Sequence, residues 1–141
     1  MALYPYLNFG RNCAEAFTRY HEIFGGELTL LKMSDMPADD QYPTPAENAD
    51  LIMHAALKFG DDLLMASDTG APDYGPMQWM YVNFSTESVD EANRVWAALS
   101  DGATKIEMPL QETFWSPAFG VCVDRFGTPW MVSAAQPEQT G

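Results

Sequence analysis

The same order of sequence signals occurs twice along this chain of 141 residues. Each time, a short strand pattern leads into an amphipathic helix that ends at glycine, and further strands with a Phe-Gly turn follow. The helices begin near Asn12 and Ser88, and the turns lie at Phe59-Gly60 and Phe126-Gly127. A duplicated unit that cannot bury its own apolar face packs against its copy. The sequence therefore predicts two similar modules, 3–68 and 77–134, within one domain that covers 1–141.

Each module reads as a strand, a helix and three further strands, so the predicted fold class is α+β with two βαβββ modules. Asn12 and Glu15 fit a capping box for the first helix, and Ser88 fits an N-cap for the second. Residues 79–84 are predicted as the first strand of the second module. Residues 34–49 are predicted to form a long loop with three prolines, and loops of this length are often active-site lids or disordered segments. With one helix on the outer face of each sheet, the two sheets are expected to curl around a shared cavity.

Alternation along the third strand predicts which of its side chains face that cavity. One apolar face suits packing under the helix, and the other carries one of the two histidines of the chain. The helix-side face comprises Met53, Ala55, Leu57 and Phe59, and the cavity-side face comprises Ile52, His54, Ala56 and Lys58. This assignment holds only if no β-bulge interrupts the strand.

Charge and composition exclude several classes of partner. The chain carries 20 acidic and 7 basic residues, a formal net charge of −13, which repels nucleic-acid phosphates and anionic lipid surfaces. No apolar run approaches the roughly 18 residues of a membrane span, and no signal-peptide pattern begins the chain. We therefore expect a cytoplasmic protein that binds neither nucleic acid nor membrane. Its two cysteines, Cys13 and Cys122, are expected to be reduced and buried.

Several short motifs resemble those of a known family. They include Pro5-Tyr6-Leu7-Asn8-Phe9 and His54-Ala55, and the most specific are Gln111-Glu112-Thr113-Phe114-Trp115 and Asp124-Arg125-Phe126-Gly127-Thr128-Pro129-Trp130. Together with the paired βαβββ pattern, they resemble the PhnB-like family of the vicinal oxygen chelate superfamily, which includes glyoxalase, bleomycin-resistance and extradiol dioxygenase proteins. The resemblance covers nearly the whole chain and implies the fold of that superfamily.

The resemblance also implies where a metal would lie. Members of the superfamily commonly bind a divalent metal through His and Glu side chains on the first and fourth strands of each module. In this chain those positions fall near Tyr4, at Leu64 or Met65, at Gln78 or Trp79, and at Met131. Thioethers, phenols and indoles are poor ligands for such metals. We therefore expect no metal in the usual site and no other cofactor, although a differently built site around His54 stays open.

Nine residues are candidates for the site. His54 is a candidate general base because the ordinary pKa of histidine lies near neutrality. Glu112 is a candidate acid because the two aromatic residues that closely follow it are expected to shield its carboxyl group from water. The candidate ligand contacts are Tyr6, Asn8, Met65, Asp68, Tyr81, Trp115 and Trp130. Several of them also have a structural explanation. A strand histidine is commonly hydrogen-bonded in place, strand aromatics such as Trp115 and Trp130 commonly fill the core, and Glu112 could form a salt bridge or a cap in a turn. An aspartate beside a turn, such as Asp68 or Asp124, commonly binds its own backbone.

Two functions follow from these candidates. The first is a protein that binds an unidentified small molecule without the usual metal. The alternative is a lyase or isomerase in which His54 and Glu112 transfer protons, with or without a divalent metal. A purely structural module is a third reading. Since members of the superfamily often pair, we expect a homodimer.

Overall fold

The computed structural model describes residues 1–37, 44–71 and 74–135. The chain divides into two compact units, Met1–Gly75 and Pro76–Gly141. Part of the predicted 34–49 loop, residues 38–43, lies outside the described residues, and the question whether this loop acts as a lid stays open. Within the described residues, no helix is long and apolar enough to span a membrane. The expected cytoplasmic location stays a prediction.

The first unit is a four-stranded sheet with one helix. Its elements, in chain order, are β1 (Tyr6–Phe9), α1 (Cys13–Phe24), β2 (Glu27–Lys32), two short 3-10 helices (Met33–Asp35 and Ala46–Asn48), β3 (Ile52–Phe59) and β4 (Asp62–Asp68). The strand order in the sheet is β1-β4-β3-β2, in which β1 and β4 are parallel and the other neighbours antiparallel.

The second unit repeats this plan. Its elements are β5 (Val82–Thr86), α2 (Val89–Ser100), β6 (Lys105–Gln111), β7 (Ala118–Val123) and β8 (Pro129–Ala134). The strand order is β5-β8-β7-β6, again with one parallel pair at the edge. The predicted α+β class with two βαβββ modules is therefore confirmed.

In each unit, the helix covers only one face of its sheet. The buried stripe of α1 contains Phe17 and Tyr20, as the helical spacing predicts. The Phe17 ring contacts the buried Phe9 of β1 and the Tyr20 ring edge-to-face, at centroid distances of 6.1 and 5.6 Å. The side chains that alternate with them, Tyr6 and Asn8, stay exposed. In the second unit, α2 packs closely against β7. The Trp96 ring of α2 lies so near Gly120 of β7 that a Cβ at position 120 would be only 2.7 Å from it.

Asp68 joins the start of α1 to the sheet. It is only 6% exposed; its Oδ1 accepts the backbone N–H of Cys13 at 3.0 Å, and its Oδ2 accepts that of Ile52 at 2.9 Å.

The predicted capping box is wrong, since the Asn12 side chain makes no capping hydrogen bond. The N-cap predicted at Ser88 is confirmed, because its hydroxyl accepts the N–H of Glu91 at 3.1 Å.

Two strand predictions need correction. A β-bulge at the pairing of β2 with β3 places Ile52 among the buried side chains and leaves Met53 half-buried, so the predicted alternation fails at the start of β3 and holds from His54 onward. The strand predicted for residues 79–84 begins only at Val82, because Trp79 has a φ of 65° that an extended strand does not allow.

Replacing Asp68 with alanine tests its structural role. The substitution leaves two buried N–H groups without their acceptor, and each loss costs about 1–3 kcal/mol. We expect the free energy of unfolding to fall by about 2–5 kcal/mol, measured by urea denaturation. The control is Asp61→Ala at the exposed turn between β3 and β4, which should change stability by less than about 0.5 kcal/mol. Equal effects of the two substitutions would contradict the bridging role.

Candidate functional site

The face of the first sheet opposite α1 brings together several of the predicted site residues. We call it the first open face and define it by Tyr6, Asn8, His54, Met65 and Ser67. Tyr6 lies beside Met65, and Asn8 beside Ser67, across the parallel β1–β4 pair. Tyr6 is 49% exposed and Asn8 is exposed, while the other three are half-buried. These side chains share the face because alternate residues of a strand point to the same side.

A phenol and an imidazole meet on this face. The Tyr6 hydroxyl lies 3.5 Å from Nδ1 of His54, at the long limit of a hydrogen bond, and their ring centroids are 6.1 Å apart. The pair combines aromatic surface with groups that donate and accept protons. It can therefore anchor the polar part of a ligand whose apolar part rests on Met65.

Two residues predicted as ligand contacts lie on the covered faces instead. Both carboxylate oxygens of Asp68 accept backbone N–H groups, and its side chain is buried. Trp130 is 2% exposed, and its ring N–H donates to Oδ2 of Asp124 at 2.9 Å. Asp124 also accepts the N–H groups of Phe126 and Thr128, which confirms its predicted role in a turn. The assignment of Asp68 and Trp130 to a ligand site is therefore corrected to a role in the core.

The loop after β6 carries Glu112 and Trp115. Glu112 directly follows β6, as predicted, but it is exposed, so the expected desolvation by its aromatic neighbours is absent. Trp115 is 47% exposed and makes edge-to-face contacts with Phe114 and Phe119, at centroid distances of 4.7 and 5.3 Å. Glu112 and Trp115 lie in the second unit, whereas His54 lies in the first. Their roles in a site stay predictions.

A cleft of about 190 Å³ lies within the second unit. We call it the second-unit cleft; it is lined by Met77, Gln78, Trp79, Met80, Tyr81, Lys105, Glu107, Val123 and Pro129. Of these residues, only Tyr81 was among the sequence candidates for ligand contact. Glu107 and Lys105 were missed because they lie on β6, where irregular pairing with β7 decides which side chains enter the cleft.

A carboxylate–phenol pair organises this cleft. The Tyr81 hydroxyl donates to Oε2 of Glu107 at 2.6 Å, and this hydrogen bond raises the pKa of Tyr81 above its ordinary value. Lys105 Nζ lies 3.7 Å from Oε1 of the same carboxylate. Glu107 occupies a bulge, since Ile106 and Met108 pair with the consecutive residues Cys122 and Val121. Bulges of this kind redirect a side chain and are frequent beside functional sites.

Trp79, which also lines the second-unit cleft, has an unusual backbone. Its φ of 65° is the only positive φ of a non-glycine residue within the described ranges, and its side chain is 93% exposed. A left-handed conformation costs a side-chain-bearing residue about 1–2 kcal/mol. Neither burial nor backbone preference therefore explains this conformation, and strained residues of this kind cluster at functional sites.

The residues present do not fit the divalent metal that the superfamily commonly binds. In the parallel strand pairs, Tyr6 lies beside Met65 in the first unit, and Asn83 lies beside Met131 at the corresponding position in the second. Tyr4 and Gln78 precede their strands. Nor do three His, Cys, Asp or Glu side chains come together to hold a metal anywhere in the ranges 1–37, 44–71 and 74–135. Phenol, thioether and amide groups make a weak donor set for such an ion.

The two cysteines are free and buried, as predicted. Burial raises the pKa of Cys13 from 9.0 to about 12, and the nearby carboxylate of Asp68 adds to the effect. Burial likewise raises the pKa of Cys122 to about 11, with smaller contributions from Asp124 and Glu107. Since the thiolate is the nucleophilic form, neither cysteine is suited to catalysis or redox exchange.

These raised values predict that the protein loses stability in alkali. In the unfolded chain the thiols release their protons near pH 9, while in the folded protein they keep them up to about pH 11 and 12. The unfolded state therefore binds fewer protons in this window, and the free energy of unfolding falls as the pH rises. Urea denaturation from about pH 8 to 11 should show a shallower decline for the Cys13→Ala, Cys122→Ala double variant. An identical decline in both proteins would contradict the assignment.

Comparison with known proteins gives a consistent set of matches. Residues 6–132 match the family model described as the Glyoxalase/Bleomycin resistance protein/Dioxygenase superfamily. Protein YjdN of Escherichia coli K12 is 33% identical over 153 residues, which cover 99% of each chain. The crystal structure of protein PA1353 from Pseudomonas aeruginosa has a TM-score of 0.86 and 40% identity, covering 97% of this chain and 99% of that one. The PhnB protein of Bacillus cereus has a TM-score of 0.73 at 19% identity, covering 96% and 100%.

Proposed function

Since this chain belongs to the Glyoxalase/Bleomycin resistance protein/Dioxygenase superfamily and is PhnB-like within it, we propose that it binds a small organic molecule on the first open face, without the usual metal. The single observation that carries this proposal is the set of side chains on that face. Tyr6 and Met65 offer apolar contact, while Asn8 and His54 offer hydrogen bonds, all on one face of the first sheet. Ligand sites commonly combine an apolar surface with a few convergent polar groups.

The choice of residues on the first open face supports ligand binding over a purely structural role. If this face served only to pack against other protein surface, it would be expected to carry aliphatic residues, like Leu7 and Ala66 on the covered side. Tyr6 instead stays half exposed and keeps its hydroxyl near His54. A tyrosine gives a ligand both ring surface and a hydrogen bond, and a methionine adapts to irregular shapes.

One observation favours the alternative, a lyase or isomerase. A histidine acts as a general base only when its proton-accepting nitrogen faces the substrate and its other nitrogen is held in place. The Tyr6 hydroxyl near Nδ1 of His54 provides such an orienting contact and leaves Nε2 for a substrate proton. Glu112, which was predicted from the sequence as the second proton-transfer group, lies in the second unit, and its role stays a prediction.

A binding and turnover experiment distinguishes the two functions. Native mass spectrometry of the purified protein identifies a co-purifying compound, and calorimetry gives its affinity for the wild type and for His54→Ala. If the protein only binds, the loss of one hydrogen bond weakens affinity about two- to tenfold and no product forms. If His54 is a general base, turnover falls by a factor of about 100 or more while affinity changes far less.

The chain offers a matched control in His21, its only other histidine. His21 lies near the end of α1, with Nδ1 3.3 Å from the carbonyl oxygen of Gly25, and it is not part of the first open face. His21→Ala should leave both affinity and turnover unchanged. If the two substitutions weaken binding equally, the first open face is not the binding site.

We also propose that the protein forms a homodimer. Large aromatic side chains are exposed outside the second-unit cleft, among them Phe114 at 89%, and association would remove such surfaces from water. Analytical ultracentrifugation should give a mass near twice the 15.7 kDa of one chain. A mass near that of a single chain at micromolar concentration would refute the dimer.

A further inference from the structure

We propose that the second-unit cleft is a separate binding site for a small organic ammonium ion, that is, a protonated amine attached to an aromatic or aliphatic body. The cleft belongs entirely to the second unit, and the proposal does not depend on the function assigned to the first open face. Three features carry it: a carboxylate held in position, an exposed indole on a strained backbone, and the charge of the chain.

Glu107 is the group that recognises the amine. Its Oε2 accepts the Tyr81 hydroxyl at 2.6 Å, which fixes the orientation of the carboxylate. Its Oε1 lies 3.7 Å from Lys105 Nζ, which is longer than a hydrogen bond. An ionised carboxylate has about four acceptor sites, so Oε1 can still accept from a ligand. The Lys105 side chain is 67% exposed on a flexible stem, so it can move aside for a ligand ammonium group.

Trp79 and its neighbours supply the surface for the body of the ligand. The indole lines the cleft and is 93% exposed. Both its exposure to water and its positive φ are unfavourable when no ligand covers it. A ligand held by Glu107 would cover this ring, and its positive charge would be attracted to the faces of Trp79 and Tyr81. Met77 and Met80 add adaptable apolar contacts.

The charge of the chain selects cations over anions. The formal net charge of −13 attracts a positive ligand and repels a negative one. Among the described residues that line the cleft, Lys105 alone is basic, and it already lies beside Glu107. An anionic ligand would have to use that one ammonium group next to a carboxylate. The volume of about 190 Å³ is below the range of drug-sized sites, so a small amine is the expected size of ligand.

Three probes that share one aromatic body test the charge preference in the wild-type protein. They are 2-phenylethylammonium, the neutral 2-phenylethanol and the anionic 3-phenylpropionate, titrated while the indole N–H resonance of Trp79 is followed by NMR. We expect the ammonium ion to shift this resonance and to bind at least about tenfold more tightly than the alcohol, with no binding of the anion. Equal binding of the alcohol or the anion would overturn the proposal, as would shifts confined to Tyr6 and His54.

Two variants test the residues themselves. Glu107→Gln keeps the size of the side chain and can still accept from Tyr81, so it should fold normally and lose at least about tenfold in affinity for the ammonium ion. Glu87→Gln makes the same change of charge at an exposed position of the second unit outside the cleft, and it should bind like the wild type. Equal affinities of the two variants would overturn the role of Glu107.

A substitution at Trp79 tests the strained backbone. Asparagine tolerates a positive φ better than tryptophan does, and the exposed indole contributes little burial, so Trp79→Asn should raise the melting temperature. The same variant should lose most of its affinity for 2-phenylethylammonium. Unchanged affinity would overturn the proposed contact with the indole.

Discussion

One helix covers only one face of each four-stranded sheet, and this coverage decides which strand side chains are buried in the core. Side chains on the covered face, such as Phe9 and Ala66, are buried because they pack against α1. The residues that alternate with them, such as Tyr6 and Met65, lie on the other face and are not needed for that packing. This face can therefore carry aromatic, thioether and polar groups that contact a ligand.

The two units share one topology but are organised by different polar groups. In the first, Asp68 pairs with Phe9 at the end of the parallel strands and holds the start of α1. The corresponding position in the second is Ala134, which pairs with Thr86, and there the hydroxyl of Ser116 lies within hydrogen-bond distance of the Ala134 carbonyl. The buried carboxylate of the second unit is Asp124, which closes the β7–β8 turn. The duplicated fold thus carries different side-chain chemistry in each copy.

The sequence was sufficient to predict the order of elements, because helical and strand periodicity are local properties. It also predicted correctly that Tyr6 and Asn8 alternate with the covered residues of β1, and that Ser88 caps α2. The hydrogen bond that Asp68 accepts from the start of the first helix was not predicted from the sequence, because Asp68 lies 55 residues from Cys13, beyond any local pattern. The second-unit cleft was missed because Glu107 enters it through a bulge, which depends on pairing between strands.

Methyl NMR can show whether a ligand binds to the first open face. Methionine methyl groups labelled with ¹³C give a sharp signal for each of the nine methionines. Met65 lies on the first open face beside Tyr6, whereas Met33 lies in a short 3-10 helix after β2. On addition of fractionated cell extract, we expect a fraction that contains the ligand to shift the Met65 methyl signal and to leave that of Met33 in place. A compound that binds tightly without moving the Met65 signal would show that the ligand site lies elsewhere.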